Sequence, residues 1–321
     1  MLKLMFVAVA IACAVWMLMF RNQSAAAGDT PGNSKHELKH GGRTRTYEVH
    51  LPPQYDSNSP LPVVIKMPGG GGNAAAHRKQ TKMDAASDRY GFIVIYPEGT
   101  AGLGHFYTWN AGLCCGYSVK WKIDDVGFIA KVLDEVEKKY AVDDRRVYAT
   151  GMSNGAMMAY RLACELPNRI TAICGVATTM GVDGPAPTRP IPLLQIHGLK
   201  DQNAPFAGGV GSNAISKVSH RSVRDVISWW CDVDHCAKQP VEVKETDDYI
   251  FERYAPPAGT EGAPIELYML REGGHTWPGG VDVTPLLGTG KLISTFDADS
   301  VMWNFFKQFQ LESAPQNTSA K

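Results

Sequence analysis

The sequence predicts an α/β fold in which a mostly parallel central sheet carries helices on both faces. Three observations lead there. A chain of 321 residues, 44% of them hydrophobic, is long enough to bury one large core. Several short runs are almost continuously apolar rather than alternating: Leu61 to Met67 (LPVVIKM), Phe92 to Tyr96 (FIVIY) and Ile191 to Ile196 (IPLLQI). Strands buried on both faces read that way. Between such runs lie helical stretches, clearest from Asp124 to Tyr140, where Phe128, Val132, Val136 and Tyr140 fall on one side.

Taken in order, residues 4 to 20 are apolar behind Lys3, and Ala25-Ala26-Ala27 follows. This predicts an export signal over 1–27, either cleaved after Ala27 or retained as an N-terminal membrane anchor. Residues 28–42 are polar and glycine-containing and read as a flexible lead-in. Thr46 to Leu51 alternates like a half-buried antiparallel strand. The strand Leu61–Met67 runs into Pro68 and four glycines, Gly69 to Gly72, and Phe92–Tyr96 ends at Pro97. A long loop from Ala101 to Trp121 holds Phe106, Tyr107, Trp109, Tyr117 and Trp121; loops of that length and aromatic content are usually functional, and these rings read either as walls of a substrate pocket or as packing the loop on the core. Asp124 and Asp125 suit the positive end of the next helix as caps.

Arg146 to Pro167 (RVYATGMSNGAMMAYRLACELP) reads as a strand, a serine flanked by Gly151 and Gly155, and a helix of small and apolar residues stopped by proline. So tight a reversal strains the serine backbone and leaves no room for side chains beside it, which the glycines provide. This is the nucleophile elbow of the α/β-hydrolase fold. It exposes Ser153 at a helix N-terminus and aims the Asn154 backbone N–H at any oxyanion formed there. The glycine run after Met67 is placed to supply a second donor; Pro68 has no N–H, so Gly70 is the expected one.

Beyond that helix, strands are expected at 170–177 and 191–196, then a helix at 222–231, strands at 241–245, 250–254 and 265–270, and a last helix at 295–309. In the hydrolase topology the acid follows the second strand after the serine, which selects Asp201 over Asp183. A base must follow the acid in the chain. Among His220, His235 and His275, the last lies on a glycine-rich loop after the final strand, as the base should. His197, beside the acid, reads equally as an orienting group or an ordinary buried histidine.

With these residues assembled, the chain resembles the secreted esterases that include poly(3-hydroxybutyrate) depolymerase-like and feruloyl esterase-like proteins, related to carbohydrate esterase family 1. The resemblance spans about residues 39 to 310 and rests on GMSNGAMMAYRLAC from Gly151, IHG from Ile196 with Asp201 and Gly208-Gly209, GGHTWPGG from Gly273, WNAGLCCG from Trp109 and DDVGFI from Asp124. It implies Ser153 as nucleophile, Asp201 as acid and His275 as base. The chain departs from the family at Pro68, where a histidine is usual, and at Phe206, where an aromatic hydroxyl is common. The expectation is a serine esterase forming an acyl-enzyme, with Trp109, Phe206 and Trp277 against the substrate, over a catalytic domain at 43–311 and a disordered tail at 312–321. A peptidase on the same fold, or a silent polymer-binding protein, is the alternative.

Equal acid and base counts, 32 each, give no electrostatic case for nucleic acid or an anionic membrane. The expected partner is a small ester or polyester, and a membrane is met only through an uncleaved N-terminus. No metal or organic cofactor is expected. Of seven cysteines, Cys13 falls in the signal, leaving six for an oxidising compartment. Cys231 and Cys236 are close enough in sequence to bridge each other; Cys114, Cys115, Cys164 and Cys174 allow three pairings.

Overall fold

The computed structural model describes residues 30–102, 104–282 and 288–312. The expected signal at 1–27, with Cys13, and the tail from 313 lie outside the described residues. In chain order the elements are β1 (Gly32–His40), β2 (Arg43–Leu51), β3 (Leu61–Met67), α1 (Ala74–Thr81), α2 (Met83–Tyr90), β4 (Ile93–Pro97), α3 (Gly116–Lys120), α4 (Asp125–Lys139), β5 (Val142–Met152), α5 (Asn154–Glu165), β6 (Ala172–Val176), β7 (Leu193–Gly198), α6 (Val223–Val233), β8 (Glu242–Glu245), β9 (Tyr249–Tyr254), β10 (Ile265–Leu270) and α7 (Ala298–Phe306). The helices begin where side chains satisfy orphan amides. Asn73, Asp124, Ser222 and Asp297 accept from the backbone N–H three residues on, starting α1, α4, α6 and α7.

The strands form one sheet in the order β1-β2-β4-β3-β5-β6-β7-β10-β9-β8. From β4 to β10 the pairings are parallel, with antiparallel hairpins at both margins. One face packs Phe128 of α4, Tyr160 of α5 and Trp230 of α6. The other packs Ala74 of α1, Ala86 of α2 and Trp303 of α7. Each large apolar side chain so buried contributes roughly 1.5–3 kcal/mol. The sheet closes into no barrel, and every parallel strand ends on the same edge.

Two expectations are corrected here. The lead-in is a strand for most of its length: β1 pairs with β2 in unbroken register from Gly32↔Leu51 to His40↔Arg43. The Gly41-Gly42 turn, both residues at positive φ, closes this hairpin, and His36 stacks on Tyr47 with ring centroids 5.0 Å apart. Polar side chains hid a strand whose inner face needs only half burial. Second, Asp124 caps α4, but Asp125 does not serve as a cap. It is fully buried, bonded to Arg45 at 2.7 Å and accepting from the Asn110 N–H at 2.8 Å, and so ties β2 and the aromatic loop to α4.

Candidate active site

β5 ends at Met152 and α5 starts at Asn154, so Ser153 is the whole corner. Its backbone is held at φ 54°, ψ −125°, a region that costs a non-glycine residue strain. Surrounding bonds impose it: the Ser153 N–H donates to Val176 O at 2.9 Å, and its carbonyl accepts from Met157 N–H at 3.0 Å. The flanking glycines are steric requirements. A Cβ on Gly151 would sit 2.6 Å from the Gly155 carbonyl carbon, and one on Gly155 would collide with the Met67 and Pro68 carbonyls. The Ser153 corner is therefore pressed against the end of β3.

That contact brings the glycine run beside the serine. A Cβ on Gly69 would be 3.4 Å from Ser153 Cβ, and one on Gly70 would be 3.7 Å from Asn154 Cβ. Gly71 and Gly72 commit their N–H groups to Tyr107 O and Gly69 O. As first residue of α5, Asn154 has an N–H with no partner one turn back.

Asp201 follows β7 and His275 follows β10, two neighbouring parallel strands, and their loops are joined by the Lys200 N–H to Gly273 O bond at 3.0 Å. His275 Nδ1–H donates to Asp201 Oδ2 at 2.8 Å, both groups being buried. Asp201 Oδ1 accepts from the N–H groups of Asn203 and Ala204, each at 2.8 Å. Burial alone would raise the Asp201 carboxyl pKa, but the His275 charge and hydrogen bond, with His197 and the Ala204 amide, hold it below the ordinary carboxylate range. The Asp201 carboxylate is thus a fixed, charged acceptor.

His197 is buried beside Asp201. Its Nε2–H donates to Ala204 O at 2.8 Å, and its Nδ1 lies 3.3 Å from the Gln195 amide, whose Oε1 accepts from Tyr160 O–H at 2.6 Å. Burial pushes its pKa down, so the neutral ring clamps the turn that presents Asp201.

The aromatic expectations divide. Trp109 is buried, not a pocket wall: its indole N–H donates to Pro68 O at 3.0 Å and its backbone N–H to Asn154 Oδ1 at 2.7 Å. Asn154 Nδ2 returns bonds to Trp109 O and Cys114 O. This side chain, valued in sequence only for its backbone, is what moors the aromatic loop to the Ser153 corner. Trp277 is likewise buried, donating to Asp299 Oδ1 at 3.0 Å. Both indoles face inward because each N–H has an acceptor there. Phe206 is half-buried and packs edge-on to His197, 5.8 Å between centroids. Phe106, by contrast, is about half exposed and lies over the glycine run, where a Cβ on Gly71 would fall 2.6 Å from its ring. A surface recess of about 650 Å³ lined by Leu113, Ile123, Arg161 and Val182 contains none of Ser153, Asp201 and His275; the chemistry of the buried acid–base pair marks the site better than that hollow does.

The expected Cys231–Cys236 bridge is absent, and both thiols are free. They bracket the end of α6, where Cys236 N–H donates to Cys231 O at 2.8 Å, while the Cys236 thiol turns to Ala263 O at 3.0 Å. Cys164 and Cys174 are also free and buried, and Cys114 pairs with Cys115.

A family described as esterase PHB depolymerase matches residues 45–188. A protein of Nocardia uniformis subsp. tsuyamanensis named as the esterase NocK is 31% identical over 271 residues, 76% of this chain and 74% of its own length. Feruloyl esterase B of Piromyces equi is 27% identical over 82% of this chain, which spans 45% of that relative. Among solved structures, the acetyl xylan esterase from Aspergillus awamori matches with a TM-score of 0.54 at 16% identity, covering 80% of this chain and 100% of that one. At that identity the likeness concerns the fold, which is the α/β-hydrolase fold.

Proposed function

Because the chain belongs to the PHB depolymerase family of esterases and is a carboxylic ester hydrolase, we propose that it is a secreted serine esterase whose triad is Ser153, His275 and Asp201. The observation that carries this reading is the buried His275–Asp201 hydrogen bond, on the same sheet edge as a serine held in a strained corner. As Ser153 Oγ attacks the ester carbonyl carbon, His275 Nε2 takes its proton. Asp201, bonded to Nδ1–H, sets the tautomer and stabilises the imidazolium. The oxyanion is met by the backbone N–H groups of Asn154 and Gly70. His275 then protonates the departing alcohol, leaving an acyl-enzyme. Water, deprotonated by the same ring, attacks that acyl carbon and releases the carboxylic acid with Ser153 restored. No step calls for a metal or organic cofactor.

Phe106 over the glycine run offers the exposed aromatic face that Trp109 and Trp277 do not, with Phe206 on the acid side. Such an aromatic face suits a single acyl or aryl group. Ser153→Ala is expected to lower ester hydrolysis by about four to six orders of magnitude in a folded protein, and to abolish labelling by a fluorophosphonate probe. Turnover retained in the alanine variant would sink the mechanism. On one preparation, p-nitrophenyl butyrate and methyl ferulate should be cleaved rapidly and a crystalline polyhydroxybutyrate film eroded slowly. Fast clearing of the film with negligible soluble-ester activity would reverse that choice of substrate.

A further inference from the structure

Across the sheet face that packs against α7, Lys66 of β3 stands opposite Thr150 of β5, which stands opposite Cys174 of β6. A lysine in such a row is unusual. Lys66 is fully buried, and its Nζ finds no hydrogen-bond partner among the described residues. It ends 2.7 Å from the centroid of the Trp277 ring. The edge of the same indole donates to Asp299 Oδ1 in the first turn of α7. His77 of α1, also buried, meets the ring edge-on at 6.2 Å. Burial drives Lys66 and Asp299 toward their neutral forms, while the charge of each opposes that drift in the other.

The sequence positions of these groups give the cluster its meaning. Lys66 lies just before the glycine run and His77 just after it. Trp277 lies two residues beyond His275. The backbone repeats the connection, since Val281 N–H donates to Gln80 O at 2.7 Å and thereby fastens the base loop to α1. Two loops that must face each other across a reacting ester are thus held through one buried indole.

We infer that Trp277, gripped on its face by Lys66 and at its N–H by Asp299, is a positioning residue that fixes the His275 loop relative to the Gly69–Gly72 loop. It touches neither substrate nor reacting atoms. The inference rests on the triad assignment above, and displacing the base by a fraction of the distance it must bridge costs turnover rather than binding.

The test uses the full chain. Trp277→Phe keeps the ring face and loses the N–H; Asp299→Leu loses the acceptor; Asp299→Asn keeps an oxygen for it. With p-nitrophenyl butyrate, Trp277→Phe and Asp299→Leu should lower kcat about ten- to hundred-fold with KM within about two-fold. Asp299→Asn should stay within about three-fold of the parent. Should Asp299→Leu fail to fold, Trp277→Phe decides, because it leaves both Lys66 and Asp299 in place. In a Ser153→Ala background, the low-field proton resonance of the His275 Nδ1–H should broaden in Trp277→Phe and persist in Asp299→Asn. That signal needs no turnover, so it separates failure of this inference from failure of the esterase reading. A folded Trp277→Phe with parental kcat and an unchanged resonance would overturn the positioning role, as would an activity loss matched by the loss of folded protein.

Discussion

At the scale of single residues, the His275–Asp201 hydrogen bond at 2.8 Å is held by loops that the Lys200 N–H to Gly273 O bond joins. Ser153, Asp201 and His275 could be chosen from chain order and loop placement, and the geometry joins the latter two. The indoles of Trp109 and Trp277 could not be placed, because an N–H that can face either a pocket or a buried acceptor leaves the same trace in sequence. Asp234 is another such residue. It is buried, its Oδ1 accepts from Ile191 N–H at 2.7 Å, and its Oδ2 finds no partner among the described residues. Burial pushes its pKa up to about 8, against the Ile191 amide and Arg189. An unfolded aspartate titrates near 3.9. Between those values the folded form holds a proton that the unfolded chain has lost. This contribution to stability is therefore fully present below about pH 4 and disappears as pH rises toward about 8. Asp234→Asn should flatten the fall in unfolding free energy from pH 5 to 8, read from urea melts, by about 1.4 kcal/mol per pH unit at most. Identical slopes for the two proteins would refute it.

Among elements, the strands buried on both faces announced themselves by composition, and Leu61–Met67 and Ile265–Leu270 have the expected bounds. β1 did not, although its Gly41-Gly42 turn was a hairpin signal in plain view. Its polar alternation is how an edge strand avoids pairing with another molecule. The end of α6 shows the opposite failure, in which sequence proximity suggested a bridge that the thiol directions do not make. Alkylation of denatured, unreduced protein should accordingly label Cys164, Cys174, Cys231 and Cys236 and spare Cys114 and Cys115. Recovery of a Cys231–Cys236 cross-linked peptide by mass spectrometry would contradict it.

For the whole molecule, the hydrolase architecture followed from a few apolar runs and one glycine-flanked serine, because parallel strands and their crossovers admit few arrangements. What the sequence withheld is the set of contacts between distant loops, which no local pattern encodes. The sheet order carries a kinetic consequence. His275 sits beyond β10, the last strand among the described residues, and β10 inserts between β7, which it meets in parallel, and β9. Nonlocal pairing of that kind is slow. On dilution from denaturant, ester hydrolysis should return with the slowest refolding phase rather than with the early gain of helix signal; activity regained in step with the early phase would disprove this. On the proposed triad, a chain still being synthesised has Ser153 long before His275. Such a chain would be harmless to every ester it passes, gaining competence only once β10 closes the sheet.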